Sequence, residues 1–219
     1  MSNLLYQQLL DLAVGGVLAA AMLVLWRRTL RSVVRVLAAQ GVCVAAVAVL
    51  IGVHGDDIEL VVVGAVIVVV KGVVVPRVLR RAVVTSGEPR EIQPLVNVAA
   101  SLLTAAAITL LVYATTLDVV ALAPSPTSRA LPIGLAVVLI GFFVLTTRRK
   151  AVSQVVGFVL VDNGITLVAL LATAGIPFVV ELGASLDLLI AVVILQVLAA
   201  RMQLKFGATD LDQLRELRD

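Results

Sequence analysis

The chain has 219 residues, 61% of them apolar and only 14% charged, with a mean hydropathy of +1.14. Soluble domains are about 25% charged and less than half apolar, so this composition excludes an ordinary water-soluble enzyme and makes a lipid bilayer the solvent. A single cysteine, Cys43, and a single histidine, His54, exclude a disulfide framework, a Cys/His zinc site, an iron–sulfur cluster held by this chain alone and bis-His haem ligation.

A helix that crosses the hydrocarbon layer needs about 20 mostly apolar residues. Seven such runs are predicted, at about 4–26, 33–53, 58–79, 94–116, 131–147, 151–173 and 178–200, the fifth being the shortest. The runs are rich in Val, but they are continuously apolar and lack the period-two alternation of outer-membrane strands, so helices are expected. The expected fold is an all-α integral membrane domain over 1–206 with a short tail, 207–219. The first run lacks the basic n-region and small-residue cleavage site of a secretory signal and is read as a retained span. Between the fourth and fifth runs, 123–132 carries Pro124, Pro126 and Pro132 and is predicted to be a polar outer linker.

Lys and Arg gather in alternate loops. Arg27, Arg28, Arg31 and Arg35 follow the first run, and Arg77, Arg80, Arg81 and Arg90 the third. Arg148, Arg149 and Lys150 follow the fifth, and Arg201, Lys205, Arg215 and Arg218 the last. By the positive-inside rule this places the N-terminus outside and the C-terminus in the cytoplasm of a cell-membrane protein. The formal charge of +3 therefore records orientation and gives no support for a nucleic-acid partner.

Shifting the chain by 123 residues lays Val33–Leu37 over Val156–Leu160, Gly41 over Gly164, Gly52 over Gly175 and Ile67 over Ile190. Spans one to three then overlie five to seven in the same orientation, a parallel repeat of the kind found in transport proteins, with span four as connector.

A charge at the bilayer centre costs about 2.5–3.5 kcal/mol on insertion scales and so requires a reason. Lys71 lies about 20 Å along the third run at 1.5 Å per residue. Asp162 in the sixth and Asp187 in the seventh reach similar depth on antiparallel neighbours, facing one another or a shared wet channel. Glu181 stands nearer the outer surface on another face of its helix, and Gln154 and Asn163 are secondary polar lining, Gln154 on the cytoplasmic approach to Asp162. Lys71, Asp162, Glu181 and Asp187 are the candidate proton path. The competing readings are a static ion pair or neutral core lysine for Lys71, static acids for Asp162 and Asp187, and a capping carboxylate for Glu181. Asp11 and Arg77 are read as snorkelling anchors, His54 as surface and Cys43 as an apolar filler. Gly15, Gly16, Gly164 and Gly183 are read as helix-packing points.

The segment Arg148–Phe158, followed by Val161-Asp162-Asn163-Gly164-Ile165, Pro177–Gly183 and Leu186–Leu189, resembles component E of hydrogenase-4-type complexes. In that family the sixth-span motif reads Glu-Asn-Gly-Ile, so Asp162 is a shorter acid in place of a glutamate. The last three spans also resemble the small three-helix membrane subunit of respiratory complex I and its counterpart in multisubunit cation/proton antiporters, with Asp162 and Asp187 in the places of that subunit's two glutamates. The resemblance implies a membrane-arm subunit of a complex I-like respiratory hydrogenase. Its partners would be antiporter-like membrane subunits and hydrogenase subunits that carry nickel–iron and iron–sulfur centres, with no cofactor or active site in this chain. The alternatives are a structural anchor of such a complex and a stand-alone seven-helix transporter.

Overall fold

In a computed structural model, residues 2–27, 29–85, 96–122, 124–148 and 151–173, together with Val193, are described. The predicted seventh span, with Glu181 and Asp187, and the tail lie outside the described residues. Every described element is helical: α1 (Asn3–Trp26), α2 (Leu30–His54), α3 (Ile58–Ile67), a π-helical stretch (Val68–Val74), α4 (Val75–Thr85), α5 (Val98–Leu122), α6 (Pro126–Thr147) and α7 (Ala151–Thr173). The stretch from α3 through α4 forms one continuous rod, so the described residues hold six helices long and apolar enough to cross a membrane. The protein is an all-α, multi-pass membrane protein.

Local chemistry sets the helix starts. Asp57 Oδ1 accepts from the backbone N–H groups of Glu59 and Leu60 at 2.9 and 3.2 Å, which begins α3 directly after a turn whose Asp56 sits at φ 53°. Asn97 Oδ1 accepts from Ala100 N–H at 2.7 Å at the head of α5. The expected outer linker is shorter than the prolines suggested: α6 begins at Pro126. Ser125 and Ser128 form a reciprocal capping box, Pro126 occupies the first turn where its missing N–H costs nothing, and Pro132 is carried inside the helix.

Lipid tails are as apolar as leucine, so helix association rests on close packing and interhelical hydrogen bonds. The α6–α7 hairpin shows this most clearly. Gly134 and Gly141 of α6, and Gly157 and Gly164 of α7, recur at heptad spacing and face the backbone of the opposite helix. A Cβ on Gly141 would lie 2.7 Å from Val161 N. Substituting Gly141→Val is therefore expected to cost about 1–3 kcal/mol by overpacking, read as a lower midpoint in thermal unfolding of the detergent-solubilised protein. Gly16 meets a side chain instead, Cys43 Sγ, 3.0 Å from its would-be Cβ, whereas Gly15 has open space around it and is no packing point.

Helices α1, α2, α3, α6 and α7 supply the core, with Leu10, Val14, Val34, Val63, Ile140 and Leu167 fully buried. Helix α5 is peripheral. It packs on α6 and α1 through a narrow seam that includes Ala105 and Val112, while Leu103, Leu110 and Leu117 point away.

Candidate functional site

Lys71 sits within the π-helical stretch, and the sequence explains why the helix changes there. Pro76 has no N–H to offer the Gly72 carbonyl, and its ring crowds that carbonyl. The turn before it widens instead, with Val75 N–H donating to Val70 O in an i→i−5 bond. The widened backbone fits against α2 because residue 41 is glycine: a Cβ there would lie 2.9 Å from the Lys71 carbonyl carbon, oxygen and Cβ.

From this position the Lys71 side chain reaches α7. Its Nζ lies 2.7 Å from Asp162 Oδ2 and donates to Thr166 Oγ1. The Thr166 hydroxyl in turn donates to the Asp162 carbonyl at 2.9 Å, one turn back on its own helix. Lys71 is the one charged residue that is buried among the described residues. The Asp162 side chain keeps 16% exposure against 2% for that of Lys71, although its Oδ2, the atom that faces the ammonium, is itself buried.

Beside the ion pair lies a second polar layer. Asn163 Nδ2 donates to Gln40 Oε1 at 2.9 Å, and Gln40 Nε2 donates to Val17 O at 3.0 Å, linking α7, α2 and α1. Both amide side chains are fully buried, and Asn163 Oδ1 has no hydrogen-bond partner among the described residues.

Of the sequence candidates, Lys71, Asp162 and Asn163 come together. Gln154 lies at the head of α7, where its amide donates to Arg148 O at 3.3 Å and closes the α6–α7 turn. Glu181 and Asp187 lie outside the described residues. Gln40, Gly41, Pro76 and Thr166 were missed by residue-by-residue reading, and for Gln40 a signal existed: the 123-residue shift lays it over Asn163. His54 ends α2, lies exposed as expected, and stacks on Tyr6, ring centroids 4.0 Å apart and 7° from parallel.

The ammonium and the carboxylate compensate one another at 2.7 Å, while Oδ2 takes no hydrogen bond among the described residues and the ammonium donates to Thr166 Oγ1. A proton passed within the pair would move no net charge through the membrane. Onward movement would require a further donor or acceptor beside the pair.

Along its whole length the chain is 49% identical to the uncharacterized protein Rv0085 of Mycobacterium tuberculosis, over 220 residues that cover 100% of both proteins. The chain belongs to the Rv0085 family. A partial match links this member of the Rv0085 family to hydrogenase-4 component E of Escherichia coli strain K12, 30% identical over 89 residues, or 41% of either chain. The same protein of Shigella flexneri matches to the same extent. No family model and no solved structure matches the chain.

Proposed function

We propose that the chain is a membrane-arm subunit of a complex I-like, hydrogenase-4-type respiratory hydrogenase, and that Lys71 and Asp162 form part of its proton or cation path. The observation that carries this reading is the Lys71–Asp162 ion pair, 2.7 Å across and halfway along two spanning helices. An intramembrane pair of this kind is costly to maintain, and the partial likeness to a hydrogenase-4 component supplies the context in which proton movement would be its use.

In this reading the N-terminus lies outside and the C-terminus in the cytoplasm of the cell membrane. Asp162, the more exposed member, takes up or passes on the proton, Lys71 neutralises the charge that remains, and Thr166 holds the ammonium between transfers. Asp187 and Glu181 continue the path toward the outer face. Antiporter-like membrane subunits and hydrogenase subunits are the partners, and nickel–iron and iron–sulfur centres reside in the latter.

In inverted vesicles that contain the assembled complex, Asp162→Asn is expected to preserve hydrogen-dependent electron transfer and abolish acidification of the lumen, followed with a pH-sensitive dye. Full assembly with unchanged acidification overturns the reading. A second reading, a static brace in a structural anchor, draws on the closed geometry of the pair, in which the ammonium has both a carboxylate and a hydroxyl. It requires that the neutral double variant Lys71→Met with Asp162→Asn still pump.

A further inference from the structure

The 123-residue relation seen in the sequence reappears in space. Ser2 caps α1 and Ser125 caps α6, and the first helical residues Asn3 and Pro126 stand at the same separation. Helix α1 packs on α6 and α2 on α7, an arrangement open to two copies of one hairpin about a two-fold axis. Residues equivalent under such an axis touch one another only where they lie on it. Gln40 and Asn163 are 123 residues apart and hydrogen-bond to each other. Toward the α1–α2 and α6–α7 turns, one small cavity is lined by both members of two more equivalent pairs, Leu30 with Ser153 and Val33 with Val156. Equivalent residues thus come near one another at two levels of the bundle, in hydrogen-bond contact at one and around a shared cavity at the other.

We infer that α1–α2 and α6–α7 are two copies of one helical hairpin, and that Gln40-Gly41 is a positioning element for the Lys71–Asp162 pair. In each copy the amide is followed by a glycine. The amides meet, and the two glycines serve different neighbours: Gly164 admits the backbone of Val138 on its own hairpin partner, 2.7 Å from its would-be Cβ, and Gly41 that of Lys71, outside both hairpins. The consequence for the site follows from sequence adjacency. Gln40 grips the residue next to Asp162, and Gly41 seats the backbone of Lys71, so two consecutive residues of α2 fix the separation of acid and lysine on two other helices. The copies differ at the preceding position, where α2 has Ala39 and α7 has Asp162. One hairpin therefore bears the acid and the other gauges its distance to the lysine. This inference stands on geometry and holds whether or not the pair conducts.

The test is zero-length cross-linking of the purified full-length protein with a membrane-permeant carbodiimide. The reagent activates a carboxyl group, and an amine within reach displaces the urea to form an amide. The wild-type chain is expected to yield a Lys71–Asp162 linked peptide by mass spectrometry. Gln40→Leu and Gly41→Ala are expected to lose it. Gly15→Ala, in open space, and the exchange Gln40→Asn with Asn163→Gln, which keeps the amide pair, are expected to retain it. Retention of the linked peptide in folded Gln40→Leu and Gly41→Ala overturns the inference, as does its loss in the exchange variant. Where Gln40→Leu does not fold, the exchange variant decides alone: a folded, linked product supports the inference, and anything else overturns it.

Discussion

Lys71→Met is expected to destabilise the protein by about 3–5 kcal/mol, the cost of leaving one member of a buried ion pair without its partner. The Asp162 carboxylate would then face Thr166, whose one proton already goes to the Asp162 carbonyl at 2.9 Å. Adding Asp162→Asn to the same chain is expected to recover most of the loss, because a neutral amide beside a thioether has no uncompensated charge. Equilibrium unfolding of the single and double variants in mixed micelles measures the coupling. Additive losses would show that the two groups do not act as a pair. The double variant also separates stability from transport, since a chain that folds and assembles with no charge at either position can be assayed for pumping alone.

The second large effect is expected at Pro76, five residues beyond Lys71 on the same rod. Pro76→Ala restores an N–H opposite the Gly72 carbonyl, and the π-helical stretch Val68–Val74 is then free to close with ordinary i→i−4 bonds. Tightening that wider turn to the α-helical repeat turns one end of the rod against the other by about 100°. The helix itself gains a hydrogen bond and loses a steric clash, an intrinsic improvement of up to about 3 kcal/mol, while Lys71 rotates away from Asp162. The expected result is slower backbone hydrogen exchange across 68–76 together with loss of the Lys71–Asp162 carbodiimide cross-link. Faster exchange, or an unchanged cross-link, would refute the role assigned to the proline. A rise in local helix order with loss of the ion pair would show that the widened turn is held for the site at the expense of the helix.

Parts of this site were legible in the chain because they depend on local composition. A lysine and an aspartate within long apolar runs declare themselves against the cost of intramembrane charge, although residue counting matched Asp162 in depth with Asp187 and not with Lys71. Rotation about the helix axis was less accessible. Lys71 lies on a segment that departs from 3.6 residues per turn, so a projection at 100° per residue gives it the wrong face. Thr166 drew no notice because a threonine in a membrane helix commonly bonds to its own backbone, as Thr109 and Thr147 do here. Gln40 was uncharged and alone in its span, and its meaning became visible only through its equivalent.

The sequence by itself determined that this is an all-helical membrane protein and which intramembrane ionisable groups require explanation. Both follow from the transfer free energy of each residue between water and lipid, a property of the residue and its immediate neighbours. Tertiary structure decided that Asp162 meets Lys71 from a non-sequential helix, that α6 starts at Pro126, and that the Gln40 and Asn163 amides meet beside the pair. Those outcomes depend on how closely two backbones approach and in what rotational phase. Gly41 governs the first by lacking a side chain and Pro76 the second by lacking a proton.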